Sequence, residues 1–372
     1  MRVLCVFGTR PEAIKMAPVI KELRARSGVE CLICSTGQHK EMLDQVLKLF
    51  RIQPHYDLNI MRPDQTPVQV ASAAMERLDK VIRSGSFDWV LVQGDTTTAM
   101  AAALTAFYNR VRVGHIEAGL RTWDKWQPFP EEINRKVIGA ISDIHFAPTE
   151  KARENLLAEN VPDERILVTG NTVIDALLWV ANSSPSREAQ ALLKRLDIGN
   201  RRLILVTAHR RENHGEPLEN ICSALKEVAL KRSGEVRIVY PVHLNPNVQE
   251  SVHRILGDVP EVMLLPPLKY EPLIHLMKRA WLILTDSGGI QEEAPALGVP
   301  VLVLRNTTER PEGIEAGTAK LVGTDRGRII EEVFRLLDDP GERARMSRAV
   351  NPYGDGAASI RIADALLNHS SI

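Results

Sequence analysis

Strand-length apolar runs alternate with helix-period segments along the whole of this chain, and few architectures accept that pattern. Parallel strands joined by helical crossovers are covered on both faces, so they read as near-continuous Val, Ile and Leu runs rather than as in-and-out alternation. Runs at 3–7, 30–36, 89–93, 113–116 and 144–147 are predicted strands, with helices over 13–26, 39–50, 68–83 and 98–108. Around residue 165 the pattern restarts. A run at 166–169 and a helix over 172–180 lead through a polar stretch at 182–188 to further strands at 203–207, 236–241, 262–265, 281–285 and 299–304. The fold class is α/β: two doubly wound Rossmann-like domains with a cleft between them, over 1–168 and 169–352. Length agrees, because 372 residues exceed what a single core usually holds.

Charge narrows the function. Lys plus Arg and Asp plus Glu both total 47, with no long like-charge run, which argues against a broad nucleic-acid surface and assigns any bound anion to a local site. The apolar stretch at 1–7 reaches Arg10 and Glu12 too soon for a secretion signal, and no run approaches the roughly 18 apolar residues of a spanning helix. A cytoplasmic protein without membrane association is expected. Cys31 and Cys34, three apart on a predicted strand, point to opposite faces and read as buried thiols rather than as a metal or redox pair. Neither half carries GxGxxG after its first strand, so a dinucleotide fingerprint is missing.

Polar clusters fall where open parallel sheets bind ligands, past the carboxyl ends of strands. Gly8-Thr9-Arg10-Pro11-Glu12-Ala13-Ile14-Lys15 follows the first strand and opens a helix. Two cations near a helix amino terminus are costly unless an anion joins them, so Arg10 and Lys15 are candidate phosphate or carboxylate ligands, with solvated charges partnered by Glu12 the plainer alternative. Asp95 lies in Gly94-Asp95-Thr96-Thr97-Thr98 and is either a reactive carboxylate or simply a helix cap. Glu117 ends the next strand, and Glu131 opens a helix after Pro128-Phe129-Pro130, where an acid can also be no more than a dipole partner. Three carboxylates at neighbouring loop positions raise the proton affinity of at least one of them and prepare acid/base exchange.

The second half adds His209-Arg210-Arg211 at a strand end, where guanidinium forks and an imidazole match a diphosphate. Asp286-Ser287-Gly288-Gly289 precedes Glu293. The glycines let backbone amides approach an anion at a helix start, and Glu293 suits ribose hydroxyls. Arg310 follows the last strong strand. The residues alone support a nucleotide diphosphate ligand whose attached group undergoes proton transfer.

The segments at 8–18, 37–46, 94–98, 114–122, 130–135, 170–176, 208–211, 240–247, 285–294, 307–313 and 351–356 resemble the non-hydrolysing UDP-N-acetylglucosamine 2-epimerase family, in order and at matching spacing over nearly the whole chain. The resemblance implies an isomerase of the two-domain glycosyltransferase (GT-B) architecture, a homodimer without nicotinamide or metal, and a last segment, 353–372, that crosses back to the first domain. It implies reversible conversion of UDP-N-acetylglucosamine to UDP-N-acetylmannosamine for cell-surface polysaccharide, by elimination and re-addition of UDP through a glycal. Asp95, Glu117, Glu131 and His209 would be catalytic, and Arg10, Lys15, Arg135, Ser287, Gly288, Gly289, Glu293 and Arg310 would bind the UDP-sugar. Gln38, His39, Gln65, Arg211 and His243 stand where bacterial relatives hold a second, allosteric UDP-N-acetylglucosamine. A hydrolysing epimerase and a glycosyltransferase of the same fold are the competing activities, and a catalytically dead nucleotide-sugar sensor would have no need of all three acids and His209.

Overall fold

A computed structural model of the chain describes residues 1–37, 40–62 and 64–369. It divides into two compact units, Met1–Ala176 with Tyr353–Ile372, and Leu177–Pro352.

Unit 1 is built on strands β1 (Arg2–Phe7), β2 (Glu30–Ser35), β3 (Tyr56–Asp57), β4 (Trp89–Gln93), β5 (Arg112–Ile116), β6 (Ile144–Ala147) and β7 (Ile166–Val168). All pair in parallel, in the spatial order β3-β2-β1-β4-β5-β6-β7. Strand order reverses at β1 and β4, which makes the crevice past their carboxyl ends the switch point where such sheets bind ligands. Every residue of β4 is buried, as expected of a strand covered on both faces. The helix Thr97–Tyr108 buries Ala99, Ala101, Ala102, Ala103 and Ala106; these small side chains let it lie close to the sheet beside the helices Pro67–Gly85 and Glu131–Ile141.

The helix starts follow local rules. Thr9 caps Arg10–Ala25 in a reciprocal box with Glu12, and Thr66 caps Pro67–Gly85 in the same way with Gln69. Thr96 caps Thr97–Tyr108 by accepting from the Ala99 amide at 3.0 Å.

The division between units falls between Ala176 and Leu177, inside the helix Thr172–Ala181, rather than after residue 168 as the strand pattern suggested. The physical reason is Asp175, whose side chain holds the returning end of the chain. Its Oδ1 accepts from the Ser359 amide at 2.8 Å and hydroxyl at 2.6 Å, and its Oδ2 accepts from the Ala358 amide at 3.3 Å. The Asn171 amide donates to Tyr353 O at 2.7 Å. Gly170 and Gly354 make the approach possible: a Cβ on Gly170, at φ +87°, would sit 3.1 Å from the Gly354 Cα. Restart of the strand pattern near residue 165 also has a different meaning, because β7 pairs with β6 in the first sheet.

Unit 2 carries β8 (Arg202–Thr207), β9 (Val236–Pro241), β10 (Val262–Leu265), β11 (Leu282–Thr285), β12 (Val301–Val303) and β13 (Ala319–Leu321). These are again all parallel, in the order β10-β9-β8-β11-β12-β13. Its switch point lies past β8 and β11. Its two cores, one on each face of the sheet, centre on residues such as Ile204, Val206 and Leu284, and Leu205, Val239 and Ile283. Burying each such side chain contributes roughly 1.5–3 kcal/mol. Among the described residues, no helix is long and apolar enough to cross a membrane. The four cysteines are buried and free.

Candidate active site

At the switch point of unit 1, Glu117 is the first residue past β5 and is 9% exposed. Its backbone sits in the left-handed region at φ +63°, which costs a non-glycine residue roughly 1–2 kcal/mol and turns the side chain back over the strand ends. Three elements hold its carboxylate. Lys15 Nζ donates to Oε1 and Oε2 at 2.6 Å each, Asn171 Nδ2 donates to Oε1 at 3.0 Å, and Gln93 Nε2 donates to Oε2. A Cβ on Gly94, at φ +71°, would lie 3.6 Å from Oε2, so the turn after β4 passes directly beside the acid. Lys15 therefore serves as counter-ion to a carboxylate of the chain itself.

Asp95 is a partnered acid rather than a cap, because Thr96 takes the capping role. Arg135 reaches its Oδ2 from Nε at 2.9 Å and from Nη2 at 2.7 Å, and Asn134 Nδ2 donates to its backbone oxygen at 2.9 Å. Arg135 also bonds Glu132, which is fully buried and accepts from the amides of Thr122 and Trp123, both at 3.1 Å. The two adjacent glutamates thus differ in kind: Glu132 holds the preceding loop, whereas Glu131 Oε2 is buried with no donor on it among the described residues. Glu12 is not a surface partner of Arg10. It is buried, with Oε2 accepting from the amides of Gly8 and Thr9 and Oε1 from the Thr96 hydroxyl at 2.7 Å; burial pushes its carboxyl up against the pull of those donors. Behind the sheet ends, burial drives His115 down to about 3 and His145 to about 4, so both rings are neutral.

Unit 2 offers a different chemistry at its own switch point. Gly288 and Gly289 open the helix Gly288–Ala296, and Ser287 stands at its cap without using its hydroxyl to cap it. A Cβ on Gly288 would lie 3.8 Å from Arg210 Nη2, which puts that guanidinium at the helix amino terminus. Free amides, helix dipole and guanidinium together favour a phosphate. His209 is 40% exposed at its side chain, and its ring stacks on His243 with centroids 5.2 Å apart. Arg310 donates from Nε to Glu292, and Glu293 Oε1 lies 3.9 Å from where a Gly289 Cβ would be.

The match to known proteins decides the family. The family model for UDP-N-acetylglucosamine 2-epimerase matches residues 21–367. The chain belongs to that family. It is 56% identical over 373 residues to the UDP-N-acetylglucosamine 2-epimerase of Salmonella typhimurium, with 99% of each chain covered. The Neisseria meningitidis UDP-GlcNAc 2-epimerase solved with UDP-GlcNAc bound superposes at a TM-score of 0.86 with 49% identity, covering 99% of this chain and 100% of that one. Another solved UDP-N-acetylglucosamine 2-epimerase gives 0.92 and 49%, covering 100% and 96%. Chain order and sheet topology are those of the GT-B class, with two doubly wound Rossmann-like units, and the epimerase family is one of isomerases.

For the epimerase-type residues named from sequence, unit 1 gathers Lys15 with Glu117 and Asp95 with Arg135, and unit 2 gathers His209, Gly288 and Gly289. Arg135 is turned inward as an internal counter-ion. Among the activator-site residues, Gln65 spends its amide on its own loop, accepting from the Arg62 amide at 2.6 Å and donating to Ile60 O at 3.1 Å. Arg211 is exposed in a short 3-10 turn, and Gln38 and His39 lie outside the described residues. Gln93, Asn171, Glu132 and Asp286 had no role in the sequence reading, whereas Arg210 was read there as part of a diphosphate clamp. Gln93 ends β4 and Asp286 is the first residue past β11, so polar type at the end of a switch-point strand was the available signal.

Proposed function

We propose that the chain reversibly converts UDP-N-acetylglucosamine to UDP-N-acetylmannosamine without hydrolysis, by eliminating and re-adding UDP. The observation that carries this reading is the contrast between two acids of unit 1: Glu117 held by several donors, and Glu131 with a buried oxygen that has none among the described residues. An oxygen without a donor is the one free to accept a proton.

The hydrogen on the second sugar carbon is not acidified by a carbonyl, so its removal must be coupled to departure of the group on the first carbon. Glu131 takes that proton, the C–H pair becomes the C1–C2 double bond, and the C1–O bond breaks with its electrons leaving on UDP. Lys15 Nζ, 2.6 Å from Glu117, passes it a proton that Glu117 delivers to the opposite face of the second carbon; the double-bond electrons form the new C–H bond, the UDP oxygen re-forms the C1–O bond, and exchange with solvent restores Lys15 and Glu131. Asp95, fixed by Arg135, completes the acid set. Charge developing on the departing diphosphate is met by the helix start at Gly288, by Arg210 and His209, and by Arg10 and Arg310, the electrostatic contribution that is usually largest in such reactions. Glu293 takes ribose hydroxyls, and the Ser287 hydroxyl adds a donor to the phosphates.

A cytoplasmic homodimer using no cofactor or metal belongs to the same reading. So does a second UDP-N-acetylglucosamine acting as activator near Arg211 and His243.

The test is incubation with UDP-N-acetylglucosamine in heavy water, followed by NMR. Deuterium at the second carbon, with UDP-N-acetylmannosamine rising to an equilibrium mixture, is the expected result. Free N-acetylmannosamine would replace the reading by a hydrolysing one, and absence of exchange would leave transfer or sensing.

A further inference from the structure

Asp286 is wholly buried just past β11, and its two oxygens are treated differently. Oδ2 accepts from the amides of His209 and Arg210, both at 2.8 Å, and from Asn213 Nδ2 at 3.0 Å. Among the described residues Oδ1 is buried with no donor on it, and His209 Nδ1 lies 3.7 Å away. Leaving one buried carboxylate oxygen unmatched is expensive, so a role for Oδ1 beyond holding the loop is called for.

We propose that Asp286 is a positioning residue for the diphosphate site: when an anion engages His209 Nε2, the Nδ1–H closes on Asp286 Oδ1, which sets the ring's tautomer and orientation and sustains its positive charge. This deepens the reading of unit 2 as the UDP site and rests on it. The His209 amide is already pinned to the same carboxylate, so a small ring movement shortens 3.7 Å to a hydrogen bond. His243 stacks on the ring with an interplanar angle of 10°, which favours motion in the ring plane, toward Asp286 and the ligand.

The charged and titratable groups around the imidazole are Asp286, His243, Arg210 and His214. Burial lowers its proton affinity most, and His243, Arg210 and His214 act in the same direction; Asp286 raises it. Together these groups hold the ring's pKa below its ordinary value. An arriving diphosphate joins Asp286 on the raising side, and the ring takes up a proton as the ligand binds.

The experiment is nitrogen NMR of the full chain labelled at histidine and glycine, with His209 assigned by the signal lost in His209→Gln and with UDP as the probe. In the native chain, saturating UDP should raise the His209 pKa by about one unit or more and move Nδ1 to a protonated, hydrogen-bonded shift. In Asp286→Asn that rise should fall below half, while kcat drops about 10–100-fold with KM nearly constant. An unchanged His209 titration in the native chain, with UDP still shifting the Gly288 and Gly289 amides, overturns the positioning role but keeps the UDP site; this arm needs no variant to fold. A UDP-induced rise that survives intact in Asp286→Asn, with only thermal stability reduced, overturns it as well. If UDP shifts neither the ring nor those amides, the UDP-site reading itself fails.

Discussion

Lys15 Nζ lies 2.6 Å from both carboxylate oxygens of Glu117, joining the helix after β1 to the end of β5. With side chains 21% and 6% exposed, the pair is mostly desolvated, so removing one partner strands a buried charge. Lys15→Ala should lower stability by about 3 kcal/mol, read from urea unfolding, and should lower turnover. Loss of activity at unchanged stability would show that Lys15 acts on a ligand rather than on Glu117.

Glu131 and Glu132 are neighbours with opposite duties, and a matched pair of substitutions separates them. Glu131→Gln removes no internal hydrogen bond of Oε2 and should lower kcat by about 10²–10⁴-fold at native stability. Glu132→Ala frees the Thr122 and Trp123 amides and one contact of Arg135, and should cost about 2–3 kcal/mol. Equal effects of the two changes on stability would contradict the assignment.

Acid should weaken unit 1 through its buried imidazoles. His115 and His145 are held down to about 3 and about 4, from 6.5 in the unfolded chain. Above pH 6.5 both states are neutral and stability is at its full value. As pH falls below that, the unfolded chain binds protons that the folded chain refuses, and stability declines until the folded pKa values are reached. Denaturation midpoints measured from pH 7 to 4 should fall steadily, and His115→Gln should flatten the slope. A pH-independent midpoint in that window would mean the rings are not held neutral.

Asp175 fastens the returning segment by three hydrogen bonds from Ala358 and Ser359. Asp175→Ala should open the backbone near residues 353–359 to limited proteolysis while leaving the rest of unit 1 resistant. An unchanged cleavage pattern would show that the Gly170 and Gly354 contact is sufficient alone.

Both doubly wound units were legible because strands buried on two faces announce themselves as apolar runs. The exceptions are instructive. β3 has two residues and β13 three, too short to show a period, and the helix Arg187–Arg195 begins inside a stretch that looked only polar. In the site, the reactive types were visible at strand ends, but their partners were not. Thr96 and Asp95 are both able to cap a helix, and only packing shows that the threonine does so and leaves the acid to Arg135. Asn171 lies 54 positions from Glu117, and no spacing rule connects them. The division point between units was shifted because it is set by Asp175 and the segment it holds, a contact spanning 184 positions of the chain.

Because unit 1 contains both the first residues and Tyr353 onward, its final piece leaves the ribosome after all of unit 2. That piece carries Tyr353, whose carbonyl fixes the backbone of Asn171, and Asn171 in turn grips Glu117. A nascent or truncated chain therefore holds a complete sheet and a complete set of acids, with one tether of the central carboxylate still unset. The last tether of that acid is therefore supplied by chain made after unit 2, so the order of synthesis places the setting of Asn171 behind the folding of both sheets.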